Sequence, residues 1–269
     1  MKEPLVSIIT VCRNANQALR QTARSVLDQK NCPIEYIIVD GASTDGTMDT
    51  LRQLERECAE RGIAMRWVSE PDRGIYDAMN KGCRMACGQW LNFMNAGDTF
   101  VCPETISQMG LEDVGQEIDI VYGNVNKVMA FGTIETRPAP LNLLERKMAL
   151  CHQAAFVRSA LVIDHPYDLR YPVAADYEFF YWAYKTGKLF LWVDKTVANF
   201  ESEGGFSQQN RLRMNREFAR INGRSHTLRW KVSYVLKCIE MGMNRLYRWF
   251  MPKSVLNALR QRNYARKAR

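Results

Sequence analysis

The 269-residue sequence has eight cysteines but no Cys-x-x-Cys pair. Cys12, Cys32, Cys58, Cys83, Cys87, Cys102, Cys151 and Cys238 are irregularly spaced. Cys83 and Cys87 lie one helical turn apart, yet no second Cys or His pair stands nearby to complete a tetrahedral zinc site. Reduced thiols are the expectation. No Gly-x-Gly-x-x-Gly follows the first apolar run, where Val11-Cys12-Arg13-Asn14-Ala15 stands instead. The fingerprint of a dinucleotide-dependent dehydrogenase is therefore missing. A Gly-x-x-x-x-Gly-Lys-Ser/Thr phosphate loop is missing too. No apolar run reaches the length of a membrane span. The opening MKEPLVSIITV has no apolar signal region with a cleavage site, so a cytoplasmic location is expected.

What is present is a charge asymmetry. Residues 208–269 hold 16 Lys/Arg against 2 Asp/Glu, whereas residues 1–207 hold 21 against 27. A mildly acidic body carries a strongly basic tail, and such a tail seeks an anionic partner, either a membrane or a nucleic acid. With 46% hydrophobic and 25% charged residues, the rest is ordinary for a globular chain of one large or two small domains.

Leu5 to Val11 reads as a buried parallel strand. A helix follows over about 17–29, with Leu19, Ala23, Val26 and Leu27 inward and Asn14 or Asn16 as its cap. Glu35 to Val39 is the second strand. It ends in Asp40-Gly41-Ala42-Ser43-Thr44-Asp45-Gly46-Thr47, which has two carboxylates, two glycines and three hydroxyls in eight positions. A carboxylate there can accept from a base N–H or a ribose hydroxyl, and glycine permits close approach. The alternative is a polar loop with Asp45 or Thr44 capping the helix over about 47–61. Met65 to Ser69 is a third strand. Ile75, Met79, Cys83 and Ala86 then mark a helix, and Gly88 suits a left-handed stop. A buried strand, Gln89 to Met94, runs into Asn95-Ala96-Gly97-Asp98. Asp98 is either one oxygen ligand of a hard cation shared with a diphosphate, or a turn residue capping a helix near Pro103. The alternation β-α-β-α-β-α-β predicts an open doubly wound sheet.

Several runs carry a resemblance. They are Ser7 to Val11, Val39 to Thr47, Ser69-Glu70-Pro71-Asp72-Arg73-Gly74-Ile75-Tyr76-Asp77-Ala78-Met79-Asn80-Lys81-Gly82, and Asn95 to Asp98. In this order they resemble a family 2 inverting glycosyltransferase of the GT-A fold, of the kind that makes bacterial surface polysaccharides. The resemblance covers about the first hundred residues. It implies an α/β GT-A fold with a Rossmann-like, mostly parallel sheet and a C-terminal helical extension. It implies a nucleotide-sugar donor, UDP-linked in first place, and Mg²⁺ or Mn²⁺. Asp40 would meet the donor base, with Thr10 and Arg13 lining the same pocket. Asp72 and Lys81 would lie near the nucleotide or sugar, and Asn95 at the sugar. Asp98 would be the metal-binding carboxylate of a DxD motif whose first position here is Asn95.

Beyond Asp98, Pro103 to Met109 reads as a short helix, Asp119 to Gly123 as a strand and Val125 to Thr136 as a β-ribbon. His152-Gln153 precedes an apolar strand. A lone histidine is often structural, whereas the resemblance places this pair near the donor diphosphate and makes His152 a metal, phosphate or acceptor contact. A helix starts near Ala174 or Asp176. Asp176 and Glu178 in its first turn are either dipole-favoured acids or a general base for inverting transfer. The resemblance points to Asp176, with Glu178 second. Phe190 to Phe200 is a last strand, and the Gly204-Gly205 pair after it suits a hinged lid or a plain connector. Two basic helices are expected, over about 207–221 and 227–250, and the second interleaves Trp, Leu and Phe with Arg and Lys. That pattern fits an interfacial helix on an anionic membrane, the alternative being a helix folded back on the catalytic body with its cations solvated, and no nucleic-acid recognition motif accompanies it.

The expected organisation is a catalytic domain over 1–206, split into a nucleotide-binding half (1–98) and an acceptor half (99–206), with a basic extension over 207–269. The expected activity is transfer of a sugar to a glycan or polyprenyl-linked acceptor at the inner face of the membrane. A nucleotidyltransferase of related fold and a non-catalytic adaptor are the rivals.

Overall fold

Val6–Cys12 (β1) is buried along its whole length, which its near-continuous apolar run requires of a central strand. The protein is described by a computed structural model covering residues 3–129, 132–201 and 205–250, without the side chains of 201 and 244–250. Two compact units divide at Asn210 and Arg211. In the first unit, β1 is flanked by Ile34–Asp40 (β2) and Trp90–Phe93 (β4), and Ala64–Ser69 (β3) lies outside β2. All four run parallel, in the order β3-β2-β1-β4. Helices Asn16–Leu27 (α1), Thr47–Glu60 (α2) and Ile75–Met85 (α3) connect them. Because these strands run parallel, the loops after β1, β2 and β4 meet at one edge, where open α/β sheets bind ligands.

Beyond β4 the pairing changes sense. Ala155–Arg158 (β8) is antiparallel to β4 and to Ile120–Met129 (β6), and β6 forms a hairpin with Gly132–Thr136 (β7). Phe190–Glu201 (β9) runs parallel to β6 through an irregular register, and Thr99–Phe100 (β5) closes the order beside β9. Ser159–Asp164 (α4) and Ala175–Lys185 (α5) complete this half. In α5, Tyr177, Phe179 and Phe180 are buried core side chains.

Three local expectations are corrected. Gly88 does not adopt a left-handed conformation; it is needed because a Cβ there would stand 2.6 Å from the Ser7 backbone nitrogen. Pro103 to Met109 yields only a single 3-10 turn at Ser107–Met109. Neither Asn14 nor Asn16 caps α1: the cap position is Ala15, and the Asn16 N–H donates to Asp45 from the β2–α2 loop at 3.0 Å. Asp45 also receives the Thr47 N–H at 3.3 Å, so one carboxylate satisfies first-turn donors of two helices.

The second unit contains Arg211–Ile221 (α7) and Leu228–Phe250 (α8), while the short helix Phe206–Gln209 (α6) belongs to the first. Part of the expected lid, residues 202–204, lies outside the described residues, as do residues 251–269 of the basic tail.

Candidate active site

The β2–α2 loop is built around Asp40. Its side chain is fully buried and accepts from the Ser43 N–H (2.9 Å), the Ser69 hydroxyl (2.6 Å), the Ser43 hydroxyl and the Cys12 thiol (3.6 Å). These four donors fix the loop around the Asp40 carboxylate. Thr10 is enclosed in the same way. It is fully buried in β1, where its hydroxyl donates to the Met94 carbonyl at 2.7 Å and meets the Tyr36 hydroxyl at 3.0 Å. Sequence reading takes a polar residue at a strand end as pocket-facing, whereas both of these satisfy buried partners.

Gly41, Arg13 and Asp72 do come together. A Cβ at position 41 would lie 2.4 Å from Asp72 Oδ2 and 3.3 Å from Arg13 Cδ, so glycine is what admits this carboxylate. Arg13 is exposed, and Asp72 Oδ1 accepts the Gly74 N–H at 2.8 Å, which pins the turn before α3. Lys81 donates to the Pro71 carbonyl and pairs with Glu70, both at 2.8 Å. It braces the 70–74 turn from below.

The second group forms at the end of β4. Thr22 on α1 donates to the Asp98 carbonyl at 2.7 Å and accepts the Gly97 N–H at 2.9 Å, which shapes the turn from Asn95 to Asp98. Asp98 is 7% exposed, and its Oδ2 accepts from Gln153 Nε2 at 2.8 Å. The adjacent His152 has both ring nitrogens directed at neighbours. Nε2 lies 3.2 Å from Asn95 Nδ2, and Nδ1 lies 3.4 Å from Asp176 Oδ2. Since an amide N–H donates, Nε2 is the acceptor and Nδ1 carries the proton toward Asp176. His152 thus links Asn95 to Asp176. Asn95 Oδ1 is buried without a hydrogen-bond partner, a costly state that a ligand at this point would relieve.

Asp176 opens α5. Its Oδ1 accepts from the Tyr76 hydroxyl and the Tyr177 N–H, each at 2.8 Å. Burial, and then the Asp176 charge, push the Tyr76 hydroxyl well above its ordinary pKa, so it remains a donor. Glu178 sits elsewhere. Two residues along a helix point to different sides, and Glu178 meets His165 Nε2 at 3.1 Å. His165 in turn stacks flat on Trp182 at 3.9 Å. Burial raises the Glu178 pKa, and His165 opposes that rise. The structure therefore joins Asn95, Asp98, His152 and Asp176 and leaves Glu178 apart.

Sequence reading missed Tyr76, Thr22 and the carboxylate-holding role of Gln153. Tyr76 lies inside a quoted motif, but no spacing ties it to a residue 100 positions later. All eight cysteines are free, and burial pushes the Cys83 and Cys151 thiols up to about 12.

The sequence profile described as "Glycosyl transferase family 2" matches residues 7–156. The chain belongs to glycosyl transferase family 2. A Mycobacterium tuberculosis PGL/p-HBAD biosynthesis glycosyltransferase is 34% identical over 212 residues, covering 77% of this chain and 80% of the relative. In structure, this family 2 glycosyltransferase resembles S. aureus TarS 1-349 in complex with UDP-GlcNAc. The TM-score is 0.64 at 16% identity, over 80% of this chain and 66% of TarS. It also resembles the Pyrobaculum calidifontis mannosyltransferase PcManGT in complex with GDP-Man and Mn²⁺. There the TM-score is 0.61 at 17% identity, over 82% of this chain and 64% of that one. The expected GT-A architecture, a Rossmann-like sheet with a helical C-terminal part, is thereby established.

Among the described residues no three His, Cys, Asp or Glu side chains group to hold a metal ion. The donor set at β4 still fits a hard cation that takes most of its oxygens from a diphosphate. Asp98 provides a carboxylate, and the partnerless Asn95 Oδ1 provides a carbonyl oxygen.

Proposed function

We propose that this glycosyltransferase moves a sugar from a nucleotide donor to a hydroxyl of a glycan or polyprenyl-linked glycan, with inversion at the anomeric carbon. The observation that carries this reading is Asp176. It is held by Tyr76 and Tyr177 on one oxygen and faced by His152 on the other, within one side chain of Asn95 at the ligand-binding edge of the sheet. The acceptor oxygen attacks C1 as the bond from C1 to the diphosphate oxygen breaks. The acceptor proton passes to Asp176, and the bonding electrons leave with the nucleoside diphosphate. The Tyr76 and Tyr177 donors occupy Oδ1, and Oδ2, faced by His152 Nδ1 at 3.4 Å, keeps a further lone pair to take that proton. His152, facing Oδ2 through Nδ1 at 3.4 Å, helps to hold this carboxylate in place.

Asp98 and Asn95 would hold Mg²⁺ or Mn²⁺, which, when bound, acts as a Lewis acid on the departing diphosphate. Gln153 orients Asp98 for this, as hydrogen bonds behind metal ligands do. Arg13, Gly41 and Asp72 flank the donor. Uracil is the favoured base, in line with the UDP-GlcNAc bound by TarS, and guanine is the rival from PcManGT. The basic helices bring the chain to the inner face of a membrane, where a lipid-linked acceptor resides.

Titration calorimetry with UDP and GDP, each with and without Mn²⁺, tests the site. Metal-dependent UDP binding is expected, with loss of the metal dependence in Asp98→Ala. GDP binding in place of UDP would overturn the base. Binding of neither nucleotide by the folded protein would overturn the donor reading.

A further inference from the structure

The second unit divides α8 into two unlike faces. Trp230 and Tyr234 stack at 4.9 Å, and Arg216 of α7 donates to the Tyr234 hydroxyl at 3.2 Å and lies 5.4 Å from its ring centroid. One turn further on, Lys237 donates to Asn215 of α7 at 2.9 Å. These positions, three or four apart, form the face turned to α7. On the opposite face Leu228, Val232, Val235, Leu236, Ile239 and Met243 are all more than half exposed, Leu228 by 76%. At helical spacing they fall within an arc of about 100°. Arg229 and Lys231 are exposed on either flank of that arc.

A continuous apolar stripe left in water is unfavourable, and its flanking charge selects what covers it. Residues 208–269 carry 16 cationic side chains against 2 anionic ones. A second copy of this chain would bring two such cationic segments together. A bilayer with anionic headgroups takes both features at once, the stripe among the upper acyl chains and the cations among the phosphates. No described helix is long and apolar enough to cross a membrane, so α8 is suited to lie along one.

We infer that the Leu228–Met243 stripe of α8 is a docking surface for anionic lipid bilayers. It makes specific the membrane reading of the basic helices and is independent of sugar transfer. The full chain should co-sediment with vesicles of phosphatidylcholine mixed with phosphatidylglycerol, and much less with phosphatidylcholine alone. The double substitution Leu236→Gln, Ile239→Gln should weaken binding about tenfold. Far-ultraviolet circular dichroism and UDP titration serve as checks of folding and of the donor site. Replacing Ser233, off the stripe, by Gln should leave binding unchanged. Unaltered vesicle binding by the folded double variant would overturn the inference, as would equal binding to both vesicle types. If light scattering shows a dimer that the double variant turns into a monomer, with vesicle binding intact, the stripe joins two copies and the inference fails. Failure of UDP binding alongside intact vesicle binding would count against the donor reading only.

Discussion

At the end of β2, Asp40 is fully enclosed and receives hydrogen bonds from Ser43, Ser69 and Cys12. At the end of β4, two strands away in the same sheet, Asn95 keeps a buried carbonyl oxygen with no partner, and Asp176 and His152 face each other beside it. The two loops look alike in sequence, each a carboxylate among small and polar residues after an apolar strand. Their physical states are opposite. The first has its carboxylate engaged by neighbouring side chains and one backbone N–H and behaves as a scaffold. The second holds polar groups in an incomplete arrangement, and an incomplete arrangement is where a ligand gains most from binding.

The contrast is sharpened first at Asp176. Asp176→Asn keeps the shape and the Tyr76 contact but removes the proton acceptor. Turnover should fall about a thousandfold while nucleotide affinity and melting temperature stay near wild type. A variant that retains turnover would move the base elsewhere, with Glu178 the first place to look. Next comes Asp40→Asn. As a scaffold residue it should cost about 2 kcal/mol in urea unfolding, since hydrogen bonds to a buried charge are lost. If stability is unchanged and nucleotide affinity alone collapses, Asp40 is a base contact and the contrast between the loops breaks. The smallest effect is at Asp45. The Thr47 hydroxyl and then the Asn16 N–H hold its carboxyl below the ordinary value of 3.8. A depressed pKa stabilises the fold above that value, and the contribution is lost as pH falls through the lowered one. Asp45→Asn should therefore melt lower than wild type at pH 7, and the gap should close in acid. A gap that persists unchanged at pH 2 would show that the charge at 45 is irrelevant to the two helix ends.

The same comparison shows why the sequence was more informative about one half of the molecule. From β1 to β4, neighbours in space are mostly neighbours in the chain, so periodicity and short connections sufficed to place strands, helices and ligand edge. From β5 to β9, strands pair in both senses and out of order, and β9 meets β6 through an irregular register. Local pattern carries no signal for that pairing, because long-range contacts set it. The motif residues were found from sequence, but not the directions of their side chains.

The sequence by itself determined the order of the elements, the buried strands, the loops that reach the ligand-binding edge and the strongly basic tail. These follow from local chemistry: apolar runs bury, glycine and aspartate turn, and like charges accumulate on one segment. Only the tertiary structure decided what each polar group does. It enclosed Thr10 and Asp40, let one carboxylate, Asp45, serve two helices, turned Glu178 to His165, and brought Tyr76 and His152 onto Asp176. Hydrogen-bond partners are chosen by distance and angle, and residues far apart in sequence acquire both only when the sheet and its helices have packed.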